Sequence, residues 1–293
     1  MSHDTPDDVF VDDITFQASD RFTLAATLFL PRGRKTHAVL INSATAVPRK
    51  VYRGFASYLA GRGCICLTYD YRGIGGSRPA SLKGFNATMS DWAAKDVAAA
   101  AQWIGSRYKD LPQLYVGHSF GGQALGLIPD NGGISRALLI AAQAGYWGLM
   151  TPPENYRVWA YLNLIGRPAT HLLGYAPGKL GLGEDLPKGV LLEWARWVMS
   201  PRYFFDDPAL EAARANFAGY RGALRALCFS DDPWATRKAV ELLCSGFTLT
   251  WADIRTIEPK DVSAQKIGHF GFFRPEHRET LWKDAGDSLL QVR

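Results

Sequence analysis

The sequence predicts an α/β fold, a mostly parallel central sheet flanked by helices, with a helical segment inserted between the sixth and seventh strands. Three observations predict it. Short β-rich apolar runs alternate with segments of helical period along most of the chain, the pattern of a parallel sheet with right-handed crossovers. That alternation stops across residues 145–222, a stretch rich in tryptophan, tyrosine and proline, and then resumes. A β-rich run, a glycine-flanked turn and a helix-compatible run meet at Gly117-His-Ser-Phe-Gly121.

The elements follow in order. Residues 13–18 and 22–30 read as two strands of a hairpin around Ser19-Asp20. Residues 38–41 form a continuous apolar run, as a strand covered on both faces requires. Past Pro48, Val51, Phe55, Tyr58 and Leu59 share one helical face, and Gly61-Arg-Gly63 ends that helix. Residues 64–69 are the fourth strand, closed by Asp70-Tyr-Arg-Gly-Ile-Gly-Gly-Ser77. Ser90 is a candidate N-cap for an alanine-rich helix reaching about Tyr108. Strands at 113–116 and 137–142 flank a short helix at 123–128. After the interruption come a strand at 224–229, a helix at 234–243, a strand at 247–251 and a last helix over 275–290.

One αβ connection needs only about 2–6 loop residues and a helix. Residues 145–222 therefore form a small helical lid or cap, and residues 1–144 and 223–293 form the core. Lying above the strand ends, the insert would make the substrate pocket apolar. Trp147, Trp194 and Trp197 are its candidate substrate-binding residues.

Composition narrows the function classes. Hydrophobic residues are 47% and charged residues 21%, ordinary for a globular protein and inconsistent with disorder. No apolar run approaches the roughly 18 residues of a membrane span. The polar, acidic start carries no secretory or transit signal. The net charge is +5, yet no five basic residues are consecutive, so nucleic acid is not an expected partner. Cys64, Cys66, Cys228 and Cys244 show no C-x-x-C or zinc-site spacing. They read as buried thiols in a reducing compartment, which points to a cytoplasmic protein with no metal. Oligomeric state leaves no signature.

Gly117-His-Ser-Phe-Gly121 fits G-x-S-x-G, and its strand–turn–helix context is the one a nucleophile elbow demands. Ser119 is the candidate nucleophile, and the N–H of Phe120 faces a developing oxyanion. Gly117-x4-Gly122 also mimics the start of a phosphate-binding loop. Gln123 and Ala124 stand where that loop needs Lys and Ser or Thr, so that reading fails. A serine hydroxyl needs a base. Of the histidines at 3, 37, 118, 171, 269 and 277, only His269 follows the last strand with glycine freedom on both sides, in Gly268-His-Phe-Gly271. The orienting acid belongs after the seventh strand, in Ser230-Asp-Asp-Pro233. Both aspartates are within reach; Asp232 is preferred because Pro233 stiffens its exit.

On these motifs, with Asp70–Ser77 and Gly268-His-Phe-Gly-Phe-Phe-Arg274, the chain resembles the α/β-hydrolase superfamily. Within it, the chain resembles bacterial serine hydrolases of the serine-aminopeptidase and lysophospholipase-like branch. The resemblance implies the α/β-hydrolase fold, Ser–Asp–His catalysis without a cofactor, and a small-molecule ester or acyl substrate. Many relatives place His-Gly after the third strand to supply the second oxyanion donor; here Asn42-Ser-Ala-Thr45 stands there. A backbone N–H suffices, so Ala44 is the expected donor, with Thr45 its neighbour. The rivals are an acyltransferase or thioesterase with the same triad and a non-catalytic ligand-binding protein on the same fold.

Overall fold

A computed structural model describes residues 9–181 and 183–291. His3 and the start of the predicted core at residue 1 lie outside them. Eight strands form one sheet: β1 (Val9–Gln17), β2 (Thr23–Pro31), β3 (His37–Asn42), β4 (Cys64–Tyr69), β5 (Gln113–His118), β6 (Ile134–Ile140), β7 (Ala223–Phe229) and β8 (Ala252–Ile257). Their spatial order is β1-β2-β4-β3-β5-β6-β7-β8. β2 pairs antiparallel with β1 and β4, and every other neighbouring pair is parallel. The central strands are apolar for a physical reason. β4 is buried along its whole length and β3 beyond its first residue, because helices cover both faces.

The strand predicted at 247–251 lies elsewhere. Phe247 is buried, but its ring packs at 4.7 Å on Phe217 and 5.7 Å on Tyr220, outside the sheet. The eighth strand is Ala252–Ile257, an edge strand in which Asp253 and Arg255 interrupt the apolar run. Edge strands carry charge to discourage further pairing, and that weakens their sequence signal. The alanine-rich helix is capped two residues earlier than predicted. Thr88 and Asp91 form a capping box at 3.0 Å in each direction. Ser90 instead donates its hydroxyl to Glu193 at 2.8 Å.

Between β6 and β7 lie the helices Glu154–Ala160, Arg167–Leu173, Lys188–Val198 and Glu211–Gly219 and the two-stranded pair Tyr175–Ala176 with Leu186–Pro187. The last of these helices differs from the rest in its surroundings. Its Phe217 packs so closely on Gly126, behind the elbow, that a side chain at 126 would collide with the ring. Asn131 ties to its Asn216 carbonyl at 3.0 Å. Glu211–Gly219 is thus a core helix leading into β7.

The Asp70–Ser77 loop is a charge-paired turn. Buried Asp70 accepts the Arg49 and Gly76 amides at 2.6 and 2.8 Å and pairs with the Arg49 guanidinium. Arg72 bridges Asp96 at 2.7 Å and Asp20 at 2.6 Å, which ties the β1–β2 hairpin to the alanine-rich helix. All four cysteines are buried and free, and burial pushes the Cys64 thiol up to about 12. Among the described residues, no helix is long and apolar enough to cross a membrane.

Candidate active site

β5 ends in a turn that only its glycines permit. Ser119 sits at φ 51° and ψ −116°, a strained conformation for a residue with a side chain. A Cβ on Gly117 would lie 2.5 Å from the Gly121 carbonyl oxygen, and one on Gly121 would collide with the Asn42 carbonyl at the end of β3. The Ser119 amide donates to the Ile140 carbonyl at 3.0 Å, while its carbonyl accepts Gly122 and Gln123 N–H at 2.9 and 3.2 Å. The helix that follows, Phe120–Gln123, is shorter than predicted and tightens into a 3-10 turn at Ala124–Gly126.

After β7, the two neighbouring aspartates part company. Asp232 is buried and its Oδ2 accepts His269 Nδ1 at 2.7 Å, while its Oδ1 accepts the amides of Trp234 and Ala235 at 2.8 and 3.2 Å. Burial works against the Asp232 charge, but the His269 imidazole and these three hydrogen bonds outweigh it and hold the carboxyl below its ordinary range. Asp231 accepts Ile267 N–H at 2.8 Å and Gly268 N–H at 2.9 Å, so it shapes the loop that carries His269. One carboxylate orients the ring; the other holds the backbone beneath it.

The other described histidines sit apart from this constellation except for His118, whose ring centroid lies 5.2 Å from that of His269. His118 is fully buried: one ring nitrogen meets the His269 carbonyl at 2.8 Å, the other the Tyr52 hydroxyl at 2.9 Å. A carbonyl can only accept, so Nε2 carries the proton and Nδ1 accepts from Tyr52. Burial, then the neighbouring His269, pushes its pKa down to about 3. His118 is a neutral bridge between two loops.

That bridge corrects one expectation. The Tyr52 oxygen accepts the Ala44 N–H at 2.8 Å, so the amide expected to stabilise an oxyanion is already engaged. The Thr45 N–H has no acceptor among the described residues, nor does the Phe120 N–H. Thr45 and Ser119 line one cavity of about 180 Å³, which His269 also borders.

The expected tryptophans divide. Trp194 lines the cavity, its ring stacked on Trp234 at 6.2 Å. Trp197 does not. Its indole N–H donates to buried Asp207 at 2.7 Å, and its ring packs on Tyr203 and Phe204 behind the cavity wall. Trp147 packs against Tyr146 and Tyr156, also outside the cavity. In their place the wall holds Met150, Tyr203, Trp234, Phe270, Gln123 and Gln143. Trp234 follows Asp232 by two residues, a spacing that itself puts it near His269, 5.8 Å away between ring centroids. The glutamines gave no such signal, because each sits in an otherwise apolar or small-residue run. Among the described residues, no group of three His, Cys, Asp or Glu side chains could hold a metal ion.

The sequence profile of the alpha/beta hydrolase family matches residues 38–278. No curated protein matches the chain. Among solved structures, a hypothetical protein from Pseudomonas aeruginosa superposes with a TM-score of 0.63 at 16% identity, over 99% of this chain and 98% of that one. An esterase from Exiguobacterium antarcticum gives 0.60 at 13% identity, over 96% and 100% of the two chains. An N-formylmaleamic acid deformylase from Pseudomonas putida S16 gives 0.57 at 14%, over 94% and 99%. At such identities the likeness is one of fold.

Proposed function

The chain belongs to the alpha/beta hydrolase family, and from that premise we propose that it is a serine hydrolase cleaving carboxylic esters through an acyl-enzyme. The observation that carries this reading is the 2.7 Å bond from His269 Nδ1 to buried Asp232, on a ring that borders the same cavity as Ser119. His269 Nε2 takes the Ser119 proton as Oγ attacks the ester carbonyl. Asp232 fixes the tautomer that leaves Nε2 free and stabilises the imidazolium that forms. The free amides of Phe120 and Thr45 receive the oxyanion. Collapse of the tetrahedral intermediate expels the alcohol, which takes its proton from His269. Water, deprotonated in turn by His269, then releases the acid and restores Ser119.

Residues 145–210 act as the lid, with Met150, Trp194 and Tyr203 giving the pocket its apolar part, and Glu211–Gly219 belongs to the core. Four buried free thiols support a cytoplasmic location.

The test is turnover of p-nitrophenyl esters from acetate to laurate by the parent and by Ser119→Ala. Loss of the nucleophile should cost several powers of ten in kcat. A parent that neither turns over any ester nor takes a fluorophosphonate label on Ser119 is a binding protein, and the reading fails. Preferential acyl transfer to added alcohol over water assigns the same triad to a transferase.

A further inference from the structure

The insert between β6 and β7 carries a helix with apolar residues on both of its faces. Its segments Glu154–Ala160 and Arg167–Leu173 are joined by a π-helical stretch, Tyr161–Gly166, into one unbroken helix over residues 154–173. Asn155, Val158, Leu162, Gly166 and Thr170 recur every three or four residues and form its buried stripe. The opposite face of a surface helix is normally polar. Here that face holds Leu164, Ile165, Pro168 and Leu172, all of them exposed. Leu164, Pro168 and Leu172 follow one another four residues apart, so they line up as a single ridge. Leu164 is 67% exposed and Leu172 84%, and no large hydrophobic residue among the described ones is more exposed than Leu172. Single exposed leucines are ordinary, but an apolar ridge on a helix whose other face is already buried marks a surface that a partner covers.

The charge around the ridge says which partner. Residues 155–183 contain Arg157, Arg167 and Lys179 and not one aspartate or glutamate. Arg157 reaches back to Glu154 at 3.6 Å, and among the described residues Arg167 bonds the neutral Asn163, at 2.9 Å. Two copies of the chain meeting face to face on this ridge would set cation against cation. An anionic lipid surface satisfies both features at once, because leucine side chains enter the acyl boundary while arginine and lysine meet the headgroups.

We propose that the helix over residues 154–173 docks the protein on an anionic lipid bilayer, with the Leu164–Leu172 ridge turned into the membrane surface. This docking does not depend on the chemistry at Ser119, but it lies close to it. The buried side of the same helix, at Val158 and Leu162, lines a second cavity of about 130 Å³. That cavity shares Gly181, Trp194 and Trp234 with the one that holds Ser119. The docked helix thus stands one tryptophan pair away from the catalytic cavity.

The experiment sediments the full chain with vesicles of phosphatidylcholine alone and with equimolar phosphatidylcholine and phosphatidylglycerol. The parent should bind the mixed vesicles about tenfold or more tightly than the neutral ones. A double variant, Leu164→Glu with Leu172→Glu, that melts like the parent should bind the mixed vesicles at least about tenfold more weakly than the parent does. A parent that both vesicles leave in the supernatant overturns the proposal, and so does equal binding to the two. Undiminished binding by the folded double variant overturns it too, since the contact then lies elsewhere. A dimer in sedimentation velocity that Leu172→Glu makes monomeric gives the ridge to a second copy and overturns it as well. Should the double variant fail to fold, Leu172→Glu alone decides, and it should weaken binding by about threefold or more.

Discussion

The two sides of the cavity are built on opposite principles. On the histidine side each side chain is bonded inside the protein: Asp232 accepts from His269, Trp234 and Ala235, Asp231 from two loop amides, and His118 uses both ring nitrogens. On the glutamine side two amide oxygens have no partner. A fully bonded network holds its geometry whether or not a ligand is present. An oxygen that is both buried and unbonded costs the fold its lost hydration. The proposed catalytic groups stand on the side of the first kind.

The largest effect that sharpens this contrast separates the adjacent aspartates. Asp232→Asn should lower kcat by about 10⁴, because an amide favours the wrong imidazole tautomer at a geometry otherwise intact. Asp231→Asn keeps one acceptor oxygen for the two amides of Ile267 and Gly268 and should cost only about tenfold. Steady-state kinetics on both variants check this, and equal losses would dissolve the division of labour between them.

His118 gives the next effect, in stability. Its folded pKa is depressed from the ordinary 6.5 to about 3. Between those values the unfolded chain binds a proton that the folded chain refuses. The contribution is therefore present in full above pH 6.5 and is lost as the pH falls towards about 3, at up to about 1.4 kcal/mol per pH unit. His118→Gln offers the same donor and acceptor without titrating, so its denaturant-measured stability should fall less between pH 7 and pH 5 than the parent's. Parallel losses would mean that His118 accepts a proton within the fold and does not bridge the two loops as a neutral ring.

The same contrast explains what could be read from the sequence. Ser119, His269 and Asp232, the proposed triad, stand where backbone demands leave marks: glycines where a Cβ would collide, a loop after the last strand, an acid at a strand end. The central strands around them are marked by apolar runs that the sheet buries on both faces. Ala44 departs from its expected place as an oxyanion donor for a physical reason. Its amide is engaged by Tyr52, a residue reached through space and not through spacing. The cavity wall was hidden for the same reason. Tryptophans in the insert share one composition, and only tertiary packing decides which of them faces the cavity. The last strand lost its signal to its position at the sheet edge, where Asp253 and Arg255 replace apolar residues.

The tryptophans supply the smallest effects on activity, and the three should part in three directions. Trp197→Ala removes a buried ring and leaves Asp207 without its indole donor, so it should cost about 3–5 kcal/mol of stability. Because the ring lies behind Tyr203, its preference across p-nitrophenyl esters should stay that of the parent. Trp194→Ala opens the cavity wall against Trp234 and should move the optimum towards longer acyl chains by a few fold in relative kcat/KM. Trp147 lies outside the cavity, its ring against Tyr146 and Tyr156, so Trp147→Ala should change the profile by less than about twofold. Thermal melts and one chain-length series on the three variants check all of this. A shifted profile in Trp147→Ala would mean that the insert closes over the substrate further than the cavity walls extend.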